Sequence, residues 1–395
     1  MTTTNEFLQN SDNDLTSASD AIDQMISMSI ADHNPDPNRQ NSDGTITEQT
    51  NDTRSNCSPS RFRSIEYIKR LSWTNTGPEQ LARAEMKIFE TLKSQYQGRS
   101  IPVCNNTQKI WTVYSNLTST NYPIVLVHGF GGGVGLWSLN LDQLCVDRPV
   151  YALDLPGFAH STRPVFSPDP LEAEKQFVDM LEEWRIGIEL NESFILLGHS
   201  FGGFISSAYT IRYPKYVKQL VLVDPWGFGH KPTDWQTSRM QRIPPWLRSF
   251  SSVMMKFSPL AGLRAAGPFG LRIMKYFRAD LRNKFEKLFD DDRILVYLYH
   301  CNAQIPTGEE GFRTISDFLA WAKQPMMDRI DSIDEQIPIY FLHGDQSWID
   351  IESSVCVQSK RPNVFIDTIP QAGHHVYADA PVEFDMYLKR VLINK

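Results

Sequence analysis

Seven short apolar runs, each closed by turn residues, set the strongest limit on how this chain can fold. They are "KIWTVYS" (109–115), "YPIVLVHG" (122–129), "PVYALDLPG" (149–157), "SFILLGHS" (193–200), "KQLVLVDP" (218–225), "IPIYFLHGD" (337–345) and "NVFIDTIP" (363–370). Helical spacing separates several of them, as at 171–186 and 202–213. Runs this apolar are buried on both faces, and strands alternating with helices build a mostly parallel sheet with helices packed on each side. The expected class is therefore α/β. The alternation breaks at about 226–330, a helical, basic and aromatic stretch that reads as a cap inserted into the sheet domain. Before the first strand, "PEQLARAEMKIFETLKSQY" predicts a helix with Leu81, Ala84, Met86, Ile88, Phe89 and Leu92 on one side.

Charge is uneven along the chain. Residues 1–60 carry ten acids against Arg39 and Arg54, with few aromatics. Such a segment buries too little apolar surface to offset its chain entropy and reads as a disordered acidic tail, leaving 61–395 as the folded domain. Residues 226–289 carry twelve Lys and Arg against three acids, a local field suited to an anionic surface. The overall charge of −7 argues against nucleic acid as a partner. Five scattered cysteines without a C-x-x-C pair, and a start without a signal-peptide pattern, predict reduced thiols and a cytoplasmic protein. No apolar stretch reaches 18 residues, so no span is expected.

Chemistry concentrates at the strand ends. Gly198-x-Ser200-x-Gly202, with a strand before and a helix after, fits a nucleophile elbow, in which glycines let strand and helix close on a strained serine. "HGFGGG" (128–133) stands where a second oxyanion donor belongs, so the N–H groups of Phe130 and Phe201 are the expected pair. The loop is not a phosphate cradle of the P-loop type, because no Lys-Ser/Thr follows it. A serine needs a base, and "AGHHVYAD" offers His374, favoured for its place after Gly373, with His375 as competitor. "HGDQSWID" offers the acid, Asp350 ahead of Asp345; Ser347 holds the position three residues after the glycine where an acid often sits. The order Ser, Asp, His is that of an α/β-hydrolase fold. His374 and Asp379 also form H-x-x-x-x-D, an acyltransferase-type motif, although Asp379 can equally cap the last helix. Neither a metal nor an organic cofactor is expected.

"HGFGGGVGLW", "DLPGFAHSTRP", "GHSFGG", "DPWGF", "PLAGLRAAGPFGLR", "YHCNAQIPTGE" and "GHHVYAD" together resemble the lipid-acting α/β-hydrolase subfamily. It includes the N-acyl-phosphatidylethanolamine/lysophospholipid lipase and the lipid-droplet coactivator of adipose triglyceride lipase. The likeness runs from about residue 65 to the end. It implies deacylation of lysophospholipid or N-acyl-phosphatidylethanolamine at a membrane or lipid droplet. The alternative is coactivation of a triglyceride lipase partner, with or without acylation of lysophosphatidic acid from acyl-CoA as co-substrate. In the vertebrate coactivator branch the elbow serine is Asn; here Ser200 is present, which favours catalysis. That branch anchors through a Trp-rich N-terminal segment, where this chain has Trp73 alone. The basic cap, with Arg and Lys interleaved among Trp, Phe, Met and Leu, is the expected contact with the lipid surface.

Overall fold

The computed structural model describes residues 73–74, 76–231, 259–317 and 321–395. The acidic segment 1–60 and residues 232–258 of the expected cap lie outside them. The chain enters through helix α1 (Pro78–Phe89) and the hairpin β1 (Gln97–Val103) and β2 (Gln108–Ser115). Then come β3 (Ile124–Val127), β4 (Val150–Leu153), α2 (Pro170–Gly187), β5 (Phe194–His199), α3 (Phe201–Arg212) and β6 (Val217–Val223). Helices α4 (Gly270–Phe277), α5 (Ala279–Lys284), α6 (Arg293–Asn302) and α7 (Thr307–Ile315) follow before the sheet resumes. It closes with β7 (Ile339–Gly344), α8 (Glu352–Lys360), β8 (Val364–Ile369) and α9 (Pro381–Val391).

The eight strands form one sheet in the order β1-β2-β4-β3-β5-β6-β7-β8. Every pairing from β4 to β8 is parallel, and β2 alone runs against its neighbours. β1 had no counterpart among the expected runs, because "QGRSIPV" is exposed through its first four residues and carries no apolar signal. Along β5, Phe194 and Leu196 enter the core layer on one face, and Ile195 and Leu197 the layer on the other. The uninterrupted apolar runs therefore stem from helices on both faces. α2 starts where Asp169 accepts hydrogen bonds from the N–H groups of Leu171 and Glu172, with Pro170 in the first turn. α1 ends at Phe89 and turns Met86 to solvent, 55% exposed, while Glu85 is buried in its place. Leu81, Ala84, Ile88, Phe89 and Leu92 of the expected apolar side do pack on the core, and Met86 alone departs, since a polar group can go inside once it finds a donor. Trp111 supplies it, its indole N–H donating to Glu85 at 2.8 Å.

Register positions the site. Val127 pairs with Gly198, His199 with Val223, and Val223 with Leu342, so β3, β5, β6 and β7 end at one edge. The residues that follow emerge side by side at the carboxyl ends, where open α/β sheets bind ligands.

Candidate active site

Ser200 sits between β5 and α3 at φ 52°, ψ −121°, outside the regions L-residues favour. It is held there by bonds on both sides: its N–H donates to Val223 O at 3.1 Å, and its carbonyl accepts from the N–H groups of Gly203, Phe204 and Trp226. A Cβ on Gly198 would stand 2.5 Å from Gly202 O, and one on Gly202 2.4 Å from Val127 O. Both glycines are therefore required by close approach, as expected for an elbow.

The Ser200 hydroxyl donates to His374 Nε2 at 3.0 Å, and His374 Nδ1–H donates to Asp224 Oδ2 at 2.5 Å. His374, not His375, meets the serine. Asp224 follows β6 directly and is fully buried. Burial pushes its carboxyl up, but hydrogen bonds and charge from His343 and His374 outweigh this and hold it below the ordinary range.

The acid expected at Asp350 or Asp345 is corrected. Both side chains are exposed, and Asp350 accepts the Glu352 N–H at 2.8 Å just ahead of α8. Neither reaches His374; a different strand end supplies the carboxylate. The "DP" closing the 218–225 run was the available signal, since it places an acid at the strand end beside Ser200. The expected His374–Asp379 pairing does not form either. Asp379 Oδ2 accepts the Gly373 N–H at 3.0 Å, and its other oxygen pairs with Lys284 at 2.9 Å. Asp379 thus ties the His374 loop to α5.

The loop 128–133 reaches the same place. His128 is buried, its Nδ1–H donating to Gly129 O and its Nε2 accepting from the Leu155 N–H, and burial lowers its pKa to about 4. The Asn302 amide of α6 donates to Gly131 O at 2.7 Å. Sequence reading missed this link between the inserted helices and the loop. A Cβ on Gly129 would lie 3.0 Å from Ser200 Cβ, so this backbone passes directly over the serine. Phe130 and Phe201 flank Ser200, their rings anchored against Phe312.

His199 Nε2–H donates to the His374 carbonyl at 2.9 Å. Burial first, then the neighbouring His374, pushes its pKa down to about 3, so it stays neutral and fixes the loop. Above the serine lies a cavity of about 320 Å³. Leu136, Leu263, Met274, Phe277, Leu281 and Leu298 give it an apolar wall, and His375 and Arg278 are among its polar groups. Among the described residues, no group of three or more His, Cys, Asp or Glu is placed to hold a metal ion, and no helix is long and apolar enough to cross a membrane.

Residues 122–381 match the family described as alpha/beta hydrolase fold. The chain belongs to the α/β-hydrolase family. Within it, the chain is 43% identical over 319 residues to human 1-acylglycerol-3-phosphate O-acyltransferase ABHD5, covering 80% of this chain and 90% of the relative. It is equally 43% identical over 321 residues to human (lyso)-N-acylphosphatidylethanolamine lipase, covering 80% and 92%. Among solved α/β-hydrolase structures, naproxen esterase from Bacillus subtilis superposes with TM-score 0.56 at 16% identity, covering 79% of this chain and 96% of that one. A bacterial membrane phospholipase A gives 0.52 at 20% identity, covering 83% and 95%. Likeness at such identity speaks for the fold alone.

Proposed function

We propose that the protein is a serine hydrolase that deacylates glycerophospholipids, with a lysophospholipid or N-acyl-phosphatidylethanolamine as substrate. The observation that carries this reading is the line Ser200–His374–Asp224, with donor–acceptor distances of 3.0 and 2.5 Å. Asp224 holds the proton on Nδ1 of His374 and leaves Nε2 free to take the one on the serine. Ser200 Oγ attacks the acyl carbonyl, and its proton passes to His374. The amides of Phe130 and Phe201 stabilise the oxyanion, aided by the amino end of α3. His374 then protonates the departing alkoxide (or amine), leaving the acyl group on Ser200. Water, deprotonated by His374, releases the fatty acid; a lysolipid hydroxyl entering instead completes an acyl transfer. The apolar cavity suits the acyl chain.

Phe269, just before α4, and Ile273, Tyr276 and Phe277 within it are 39–80% exposed, with the Arg272 guanidinium over the Phe269 ring. Ile273 and Phe277 also line the cavity. An apolar face with basic residues at the mouth of the site supports peripheral docking on a membrane or droplet.

The test is turnover of lysophosphatidylethanolamine by the purified chain and by Ser200→Ala, with fluorophosphonate labelling. Labelling of Ser200, and loss of turnover by about 10³-fold or more in the variant, is the expected result. Equal turnover by both proteins overturns the hydrolase reading, and activation of a triglyceride lipase surviving Ser200→Ala would favour the coactivator reading.

A further inference from the structure

A second cavity, of about 600 Å³, lies between α1 and the β1–β2 hairpin and shares no lining residue with the one above Ser200. Phe89 of α1, Tyr96 just before β1 and Trp111 of β2 give it aromatic walls. Phe89 and Tyr96 stack, their ring centroids 6.2 Å apart. The Trp111 indole lies so close to Gly98 that a Cβ there would stand 2.5 Å from it, so a side chain at 98 would push the wall aside.

The buried end of this cavity holds Glu85 and His160. Glu85 is 4% exposed, and its Oε1 accepts the Trp111 indole N–H at 2.8 Å. Its Oε2 has no hydrogen-bond partner among the described residues, and neither has His160 Nε2, 3.6 Å away. Unpaired polar atoms at such depth are costly unless something fills the gap between them. Burial first, then Arg163, pushes the His160 pKa down to about 4, so the ring is neutral and Nε2 can accept. Glu85 Oε2 accepts as well once ionised. Two acceptors facing one gap call for a donor with at least two hydrogens. A hydroxyl brings one, and a quaternary ammonium brings charge but no N–H. A primary ammonium brings three N–H groups and a charge that both the carboxylate and the ring faces attract. Water can bridge two acceptors but gains nothing from the aromatic walls.

We propose that this cavity is a binding site for a primary ammonium, with Glu85 Oε2 and His160 Nε2 as its acceptors and Phe89, Tyr96 and Trp111 around it. The amine is that of a lipid headgroup or of a free small molecule, since both present the same –CH2–NH3⁺ group. The site stands apart from the hydrolase reading, because neither acceptor belongs to the catalytic line.

The test is calorimetric titration of the full chain carrying Ser200→Ala, so that no turnover intervenes, in a buffer free of amines. Ethanolamine should bind with a Kd of about 1 mM or below, and choline and ethylene glycol at least about tenfold more weakly. Glu85→Gln keeps an acceptor for Trp111 and turns an amide N–H toward His160, so it retains the packing and loses the charge. It should weaken ethanolamine by about tenfold or more. Burial first, then Asp154, pushes the Glu85 carboxyl well above its ordinary range, with Trp111 and Tyr297 pulling the other way. Cys301 and, through His160, Arg163 complete the titratable and charged surroundings. The ammonium therefore displaces a proton from Glu85, and its affinity should rise from about pH 6 to pH 8. Dihexanoylphosphatidylethanolamine that competes with ethanolamine, and loses affinity in Glu85→Gln, identifies a headgroup site; ethanolamine binding without that competition identifies a free-amine site. Should Glu85→Gln fail to fold, His160→Phe keeps a ring against Trp111, removes one acceptor and should weaken ethanolamine likewise. No binding of ethanolamine at about 10 mM, choline bound as tightly as ethanolamine, affinity falling with pH, or affinity unchanged in the variants each overturns the site.

Discussion

At the scale of single residues, the site separates what patterning shows from what only geometry shows. Ser200 was legible because an elbow demands glycines at fixed offsets, and His374 because it follows the last strand. The acid was not legible, because its requirement is only a carboxylate near Nδ1 of the histidine. Two strand ends satisfy that requirement equally well in sequence, and register with burial chooses between them. Asp224, wholly buried with three donors, is poised; Asp350 and Asp345 face water. Replacing Asp350 or Asp345 with Ala should therefore leave kcat/KM within about twofold of the parent. Asp224→Asn should cost roughly 10⁴-fold, because the wrong tautomer of His374 then faces the serine. Steady-state kinetics on a lysophospholipid separates these outcomes, and a large loss in Asp350→Ala would restore the sequence-based choice.

At the scale of elements, the parallel strands were readable, since burial on both faces writes them as apolar runs. The contacts between inserted helices and sheet were not, because they depend on pairs far apart in sequence. Arg264 and Glu309 are one such pair, buried and bidentate at 2.5 and 3.0 Å. Arg264 also donates to Asn302 O, and Glu309 accepts the Leu260 N–H. This accounts for two of the motifs that carry the family resemblance, "PLAGLR" and "PTGEE", as halves of one clamp. Through Asn302 the clamp reaches Gly131 and the loop over the serine. Removing one partner leaves an uncompensated buried charge, so Glu309→Ala should destabilise the fold by about 3–5 kcal/mol. Thermal or urea unfolding measures this, and a loss below about 1 kcal/mol would show that water reaches Arg264 once its partner is gone.

At the scale of the whole molecule, an aromatic face stands at the mouth of the site, with Arg272 over the Phe269 ring. Phe269 and Tyr276, 60% and 80% exposed, stand on that face without lining the cavity. Beside them Trp73, 55% exposed, donates its indole N–H to Ala265 O. Large rings left in water at the rim of an apolar cavity are stabilised once a lipid surface covers them. Partial burial of each ring contributes about 1.4 kcal/mol, or roughly tenfold in partitioning. Phe269→Ser with Tyr276→Ser should then lower affinity for vesicles of phosphatidylcholine and phosphatidylserine by about 100-fold. Turnover of a soluble short-chain ester should stay at the parental rate, because neither ring touches the cavity. Lysophospholipid presented in vesicles should be hydrolysed more slowly, in proportion to the bound fraction. Sedimentation with vesicles gives the first quantity and a coupled assay the second. Unchanged sedimentation in the double variant would move the docking face elsewhere on the molecule.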